Sequence, residues 1–219
     1  MEKHVLVVLP HPDDETFGCG GTIAQFARSG VPVTYACGTL GQMGRNMGKP
    51  FFATRESLPK VREKELEAAC EVLGIKDLRK LGLRDKTVEF EDPEALADKI
   101  LAIIEELSPT LVITHYPGHG VHPDHNALGA ATIRAINRMT DKPRVYAHAI
   151  TKNREEVLGL PTVVNDITDV SDIKLAAVKA HRSQSEAMLS WLGSTNVDPE
   201  REAQMRRTYS KEMFWEYRF

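Results

Sequence analysis

Short runs of β-branched residues alternate with longer stretches of helical periodicity along this chain, and that alternation leaves few folds open. "HVLVVL", "VPVTYACGT", "DLRKLGL", "TLVITH" and "RVYAHAI" read as strands. Interleaved with them, "GGTIAQFARSG", "KVREKELEAACEVLG", "PEALADKILAIIEELSP", "PDHNALGAATIRAINRM" and "VSDIKLAAVKAHRSQ" read as helices. Strands joined by helical crossovers run parallel, with helices packed on the sheet faces. The expected architecture is α/β: a Rossmann-like, mainly parallel sheet with helices on both faces. The 219 residues, 42% of them hydrophobic, suffice for one substantial core, and no linker, repeat or low-complexity tract divides them, so residues 1–219 are expected to form a single domain. The closing "KEMFWEYRF" reads as an aromatic tail too short to fold alone. Its Phe214, Trp215 and Tyr217, with Trp191, are expected to pack the C-terminal segment or a subunit interface.

The first strand runs into "LPHPDDETFGCGG". The ordinary account of such a stretch is a strand, a turn and a capped helix; the alternative is half of a metal site. A dinucleotide loop fails on spacing, because after Gly18 and Gly20 the third glycine position of G-x-G-x-x-G is Ile23, and acids beside the helix start would repel a pyrophosphate. About a hundred residues on, "TLVITHYPGHGVHPDHNALG" repeats the grammar of buried strand, His-Pro-Asp and helix. Loops leaving the carboxyl ends of parallel strands lie along one edge of the sheet, so the two segments can meet there. That would gather His11, Asp13, Asp14, His122, Asp124 and His125. Two histidines and one carboxylate suffice for a catalytic zinc with an open fourth position. The spacing does not say which aspartate binds, and H-x-D with a distant His is also the facial triad of non-haem Fe(II) oxygenases. Those oxygenases usually build the triad on a β-sandwich, so the alternating pattern favours zinc hydrolysis.

"LPHPDDE" with "HPDH" resembles the LmbE/PIG-L family of zinc-dependent N-acetylglucosamine deacetylases. "RNMGKPFFATRESLPKVREKELEAACEVLG", "KAHRSQSE" and "KEMFWEYRF" resemble its bacillithiol-biosynthesis branch, whose members deacetylate N-acetylglucosaminyl malate. One departure is Pro10, where many relatives have Ala. The resemblance implies His11, Asp14 and His125 as ligands of one zinc per chain, with Fe2+ as the alternative in the cell. It implies Asp13 as general base and a protonated His122 as oxyanion stabiliser. Asp124 would act on either imidazole from behind or cap the helix "HNALGAA", and Glu15 would cap or buttress the first loop. The resemblance further implies that Arg62 contacts the sugar hydroxyls, the ordinary account being an exposed i,i+3 ion pair with Glu65. It also implies a homo-oligomer, a trimer or hexamer. Another N-acetylated sugar, such as diacetylchitobiose, is the alternative substrate, and a metal-dependent sugar-binding module without turnover is the alternative class.

Charge and cysteine content limit the partners. The net charge of −3, from 28 basic and 31 acidic residues spread along the chain, makes no case for nucleic acid or membrane, so a small amino-sugar molecule is the expected partner. Cys19, Cys37 and Cys70 are widely spaced without a CxxC pair, which points to reduced thiols and a cytoplasmic protein. The first apolar run is too short for a signal segment. The Gly-rich connection "GTLGQMGRNMGKPFFATRESLP" is expected to carry substrate contacts, with Arg45, Arg55 and Arg182 offering planar forks for a malate carboxylate. His181, ending a helical pattern, reads as a dipole-compensating residue outside the site. His4, His115, His119 and His148 lack spacing partners.

Overall fold

Alternate residues of β1 (Val5–Leu9) serve two different cores, which fixes this strand at the centre of the molecule. The computed structural model describes residues 2–189 and 210–219. Within them β2 (Val33–Thr39) and β4 (Leu111–His115) flank β1 in parallel, and β3 (Asp77–Leu83) and β5 (Arg144–His148) extend the ladder in parallel. On one face Val5, Val7 and Leu9 pack with Ile23 of α1 (Asp14–Arg28), Leu66 and Leu73 of α2 (Leu58–Leu73) and Ala177 of α6 (Ser171–Ala180). On the other, Leu6 and Val8 pack with Ile100 and Ile104 of α3 (Pro93–Leu107) and Leu128 and Ile136 of α4 (Pro123–Asn137). The expected mainly parallel sheet with helices on both faces is therefore present. The α2 helix stops at Gly74, whose φ of 80° ends it in the left-handed conformation that glycine tolerates.

With β6 (Val163–Asp166) and β7 (Lys211–Glu216) added beyond β5, the strand order β3-β2-β1-β4-β5-β7-β6 reverses its winding between β1 and β4. The loops leaving these two strands lead to α1 on one face and α4 on the other, opening the crevice in which such sheets bind ligands. Both His-Pro-Asp segments follow these strands.

Several elements depart from the sequence reading. "KEMFWEYRF" is no packing tail: β7 (Lys211–Glu216) is an interior strand, antiparallel to β5 and to β6 (Val163–Asp166), with Phe214 and Trp215 buried. A segment too short to fold alone becomes a strand when two open edges await it. Trp191 lies outside the described residues. Neither α5 (Arg154–Leu158) nor the four-residue β6 shows a clear period in the sequence. Finally, the last helical pattern breaks at His181 into α6 and α7 (Arg182–Leu189), and α1 starts inside the acidic motif, with a kink at Cys19. No helix among the described residues is long and apolar enough to cross a membrane.

Glu212 fastens β7 to the rest. Its carboxylate accepts from Gly21 N–H at 2.8 Å, Thr22 N–H at 2.7 Å, Thr22 Oγ1 at 2.6 Å and Lys174 Nζ at 2.6 Å. All four donors converge on a residue that is 3% exposed, so truncation strands a buried ammonium and two backbone N–H groups. Glu212→Ala is expected to lower the unfolding free energy by about 3–5 kcal/mol, as breaking a buried ion pair does. Urea melts check this, and a loss below about 1 kcal/mol would contradict it.

Candidate active site

The turn from β1 into α1 sets the first half of the site. Asp14 Oδ2 accepts the His11 backbone N–H at 2.9 Å, and Asp14 N–H reaches back to His11 O at 3.3 Å. Asp13 closes the turn at φ 103°, a left-handed conformation that costs a non-glycine residue of order 1–3 kcal/mol. Glu15 buttresses it: its buried carboxylate accepts Asp13 N–H at 2.9 Å and Thr16 Oγ1 at 2.7 Å and meets His181 Nε2 at 2.6 Å. His181, expected outside the site, is thus fully buried behind it. Burial works against the imidazolium, but the Glu15 and Asp13 carboxylates raise the His181 pKa overall. Sequence distance hid this residue; only the fold brings α7's start beneath α1.

The second half comes from β4 and α4. His11 Nδ1 lies 3.1 Å from His125 Nε2 and 3.3 Å from Asp14 Oδ2, and His125 Nε2 lies 3.2 Å from Asp14 Oδ1. Donors about 2.0–2.2 Å from a tetrahedral ion stand roughly 3.3–3.6 Å apart, close to these separations, in which the two imidazoles meet different oxygens of the Asp14 carboxylate. The remaining ring nitrogens are engaged: His125 Nδ1 donates to Gly120 O at 2.6 Å, and His11 Nε2 faces Asp124 Oδ2 at 3.1 Å. Each imidazole therefore turns its other nitrogen on the same point. His115 stacks on His125 with ring centroids 4.0 Å apart, fixing the plane of that ring.

Electrostatics ask for a cation there. Burial opposes a charged His11, yet Asp124, Asp14 and Asp85 push its pKa up to about 11. Burial likewise opposes ionised Asp14, but the His125, His11 and His115 imidazoles hold it well below the usual carboxylate range. The His-Asp-His set, with two nitrogens and a carboxylate oxygen in reach of one another, is able to bind a metal. His11 Nε2 also borders a second group, with Asp85, His122 and Asp124. The carboxylates there hold backbone: Asp124 accepts the N–H groups of Lys86 at 2.7 Å and Val88 at 3.2 Å, and Asp85 Oδ2 accepts Met43 N–H at 2.8 Å. Asp85, 4% exposed and 3.3 Å from His11, carried no motif in the sequence.

Asp13 remains beside the triangle. Burial lifts its carboxyl to about 6 against the pull of Arg62, whose Nη2 donates to Asp13 Oδ2 at 3.0 Å. Arg62 is buried, not surface-exposed, and also donates to Pro12 O and, at 3.1 Å, to Gly41 O. Gly41, at φ 61°, leaves the room: a Cβ there would sit 1.8 Å from the guanidinium. The exposed pair with Glu65 is thereby corrected. Glu65 instead accepts Ser183 N–H and Oγ, each at 2.6 Å, because the helix face carrying both residues is buried.

His122 caps α4, its Nδ1 accepting Asp124 N–H at 3.2 Å, so the cap expected of Asp124 belongs to His122. Burial and the neighbouring His11 lower the His122 pKa, which favours a neutral ring bearing its proton on Nε2 over the expected imidazolium. A cleft of about 350 Å3, within the range of small-ligand sites, is lined by His11, Asp13, Asp14, His122 and His125, with Arg45 and Arg62. Arg55 is not among its lining residues and donates to the carbonyls of Gln42 and Gly44. Arg182 stacks over Phe52 at 4.7 Å, His119 Nδ1 meets Thr151 Oγ1 at 2.8 Å, and His4 Nε2 meets Thr34 Oγ1 at 2.9 Å.

Comparison with known proteins shows the family of the chain. A family model described as PIG-L, GlcNAc-PI de-N-acetylase, matches residues 6–136. The chain is 58% identical over 222 residues to the probable N-acetyl-alpha-D-glucosaminyl L-malate deacetylase 2 of Bacillus cereus, covering 100% of both chains. It is 54% identical to the protein of the same name from Bacillus subtilis, covering 100% of this chain and 99% of that one. Among solved structures, the N,N'-diacetylchitobiose deacetylase of Pyrococcus horikoshii, complexed with its inhibitor, superposes with a TM-score of 0.74 at 25% identity, over 99% of this chain and 84% of that one. On these matches the chain belongs to the PIG-L family of de-N-acetylases.

Proposed function

We propose that this chain is a zinc-dependent hydrolase that removes the N-acetyl group from N-acetylglucosaminyl malate, with one ion per chain held by His11, Asp14 and His125. The observation that carries the reading is the convergence of His11 Nδ1, His125 Nε2 and the two oxygens of the Asp14 carboxylate at separations of 3.1–3.3 Å, with the other nitrogen of each imidazole already engaged. Full-length relatives at 58% and 54% identity named for that deacetylation support the substrate. Zinc bound at such a site supplies a Lewis acid for the amide carbonyl and makes hydroxide available near neutral pH.

The side chains do the rest. Asp13, adjoining the donor triangle and raised to about 6, accepts the proton of the attacking water and delivers it to the departing amine nitrogen. Arg62 holds Asp13 Oδ2 in place while keeping enough of its carboxylate ionised to accept that proton. His122 presents Nε2–H to the acetyl oxygen as that atom gains charge, a contribution of about 3 kcal/mol for a preorganised donor. Asp124 orients His11 from behind. Arg62 on the cleft wall and Arg45 at the same cleft contact the sugar and its aglycone, whereas Arg55 shapes the loop that carries Arg45.

The same reading takes residues 1–219 as one deacetylase domain in a reducing cytoplasm, supported by three free, buried cysteines. It assembles as a homo-oligomer, a trimer or hexamer, consistent with the exposed rings of Phe90 and Phe219.

Asp13→Asn is expected to retain the metal while losing activity by about 10²–10⁴-fold, and Asp14→Asn to lose the metal; elemental analysis beside acetate release separates them. The reverse pattern would exchange the two roles. The carboxylates around His11 and His125 favour their protonated forms without metal, so zinc binding at pH 7 must expel protons from these rings. Calorimetry in buffers of differing ionisation enthalpy should read at least one proton released per zinc, with affinity rising as pH rises. Proton-neutral binding would contradict the ligand assignment of His11. Arg62→Ala is expected to cost roughly 10²-fold in kcat/KM at unchanged zinc content, and Arg62→Lys not to restore it, since one ammonium cannot reproduce the fork. Rescue by lysine would reduce Arg62 to a point charge.

A further inference from the structure

Lys86 is placed with unusual care for a surface lysine. It lines the cleft that holds Asp13 and His125, and its side chain is exposed. Its backbone lies at φ 66°, a left-handed conformation that a residue with a Cβ rarely adopts. Two bonds maintain it: Lys86 N–H donates to Asp124 Oδ2 at 2.7 Å, and Thr87 N–H closes the turn on Arg84 O at 3.1 Å. Asp124 is the carboxylate that faces His11 Nε2, so the Lys86 backbone is referenced to the metal-binding triangle through one buried group.

Charge in the cleft is unevenly satisfied. Asp13 has Arg62, Asp14 has the imidazoles of His11, His125 and His115, and Asp85 has Met43 N–H and His11. Elsewhere Lys80 is paired with Glu63 and Glu67, and Arg79 with Glu106. Among the described residues neither the Lys86 ammonium nor the Arg45 guanidinium has a hydrogen-bond or ion-pair partner, and both border the cleft. An uncompensated cation anchored by its backbone beside a hydrolytic centre selects for negative charge on the part of the ligand that reaches it. The N-acetylglucosamine ring offers none, so the charge must be carried by the group attached to it.

We infer that Lys86 is a specificity residue, whose ammonium, with Arg45 on the same cleft, binds a carboxylate on the aglycone of the amino sugar. This rests on the deacetylase reading above and adds to it the residue that tells an anionic conjugate from a neutral one. Lysine, a compact and mobile point charge, suits a carboxylate whose position varies with aglycone conformation.

The test compares kcat/KM for N-acetylglucosaminyl malate and for the neutral methyl N-acetylglucosaminide, in wild type, Lys86→Gly and Lys86→Arg. Glycine adopts a φ of 66° without strain, so Lys86→Gly removes the ammonium and keeps the turn. It is expected to lose about 10- to 100-fold on the malate conjugate, chiefly in KM, as loss of a charged hydrogen-bond partner does. The neutral glycoside and the zinc content should stay unchanged, and Lys86→Arg should recover most of the loss. The wild-type rate on the conjugate should fall with added salt, and that dependence should flatten in Lys86→Gly. Equal losses on both glycosides, or none on the conjugate, would overturn the inference alone. Wild type that hydrolyses the conjugate no better than the neutral glycoside would overturn the substrate reading together with it.

Discussion

One buried carboxylate holds three separate pieces of backbone in register. Asp124, in the first turn of α4, is fully buried; it faces His11 Nε2 at 3.1 Å and accepts the N–H groups of Lys86 and Val88. The loop after β1, the loop after β3 and the start of α4 therefore meet on a single side chain. Without it, the tautomer of His11, the direction of His11 Nδ1 and the left-handed turn at Lys86 would each lose their reference. A buried carboxylate is tolerated only because every neighbour donates to it, and those donors are the parts of the site that must not move.

Charge then organises the rest. Asp14, Asp85 and Asp124 surround His11, an arrangement that stays folded only around positive charge, whether a proton on His11 or a bound cation. Asp13 is set apart by Arg62, which lets two adjacent aspartates occupy different electrostatic states: Asp14 held well below its ordinary pKa, Asp13 lifted to about 6. Neighbouring carboxyl groups pushed in opposite directions are able to take different chemical roles. The arrangement stores strain in the Asp13 turn, which the Glu15–His181 pair braces from beneath.

Much of this was legible in the chain. The strands from Val5–Leu9 to Arg144–His148 carry strong local periods, and both His-Pro-Asp segments follow strands of one parallel sheet, so their convergence could be argued from spacing. What escaped depends on distant contact. Asp85 follows a strand without any motif; His181 reaches Glu15 across 166 positions; Lys86 is distinguished only by its φ. Arg62 misled for another reason: Arg and Glu one helical turn apart look like a solvated pair, and nothing local reveals that α2 buries that face. β7 was hidden because its stability comes from two strand edges and from Glu212 binding α1, none of it encoded within "KEMFWEYRF".

Anomalous diffraction at the zinc edge from the zinc-loaded protein tests the centre of this most directly. A single peak is expected on the Nδ1 side of His11, within about 2.0–2.2 Å of that atom, of His125 Nε2 and of one Asp14 oxygen, with Asp13 unbound. A peak on the Nε2 side, among His11, Asp85, His122 and Asp124, would contradict it, for the carboxylate taken here to orient His11 would then itself be a ligand.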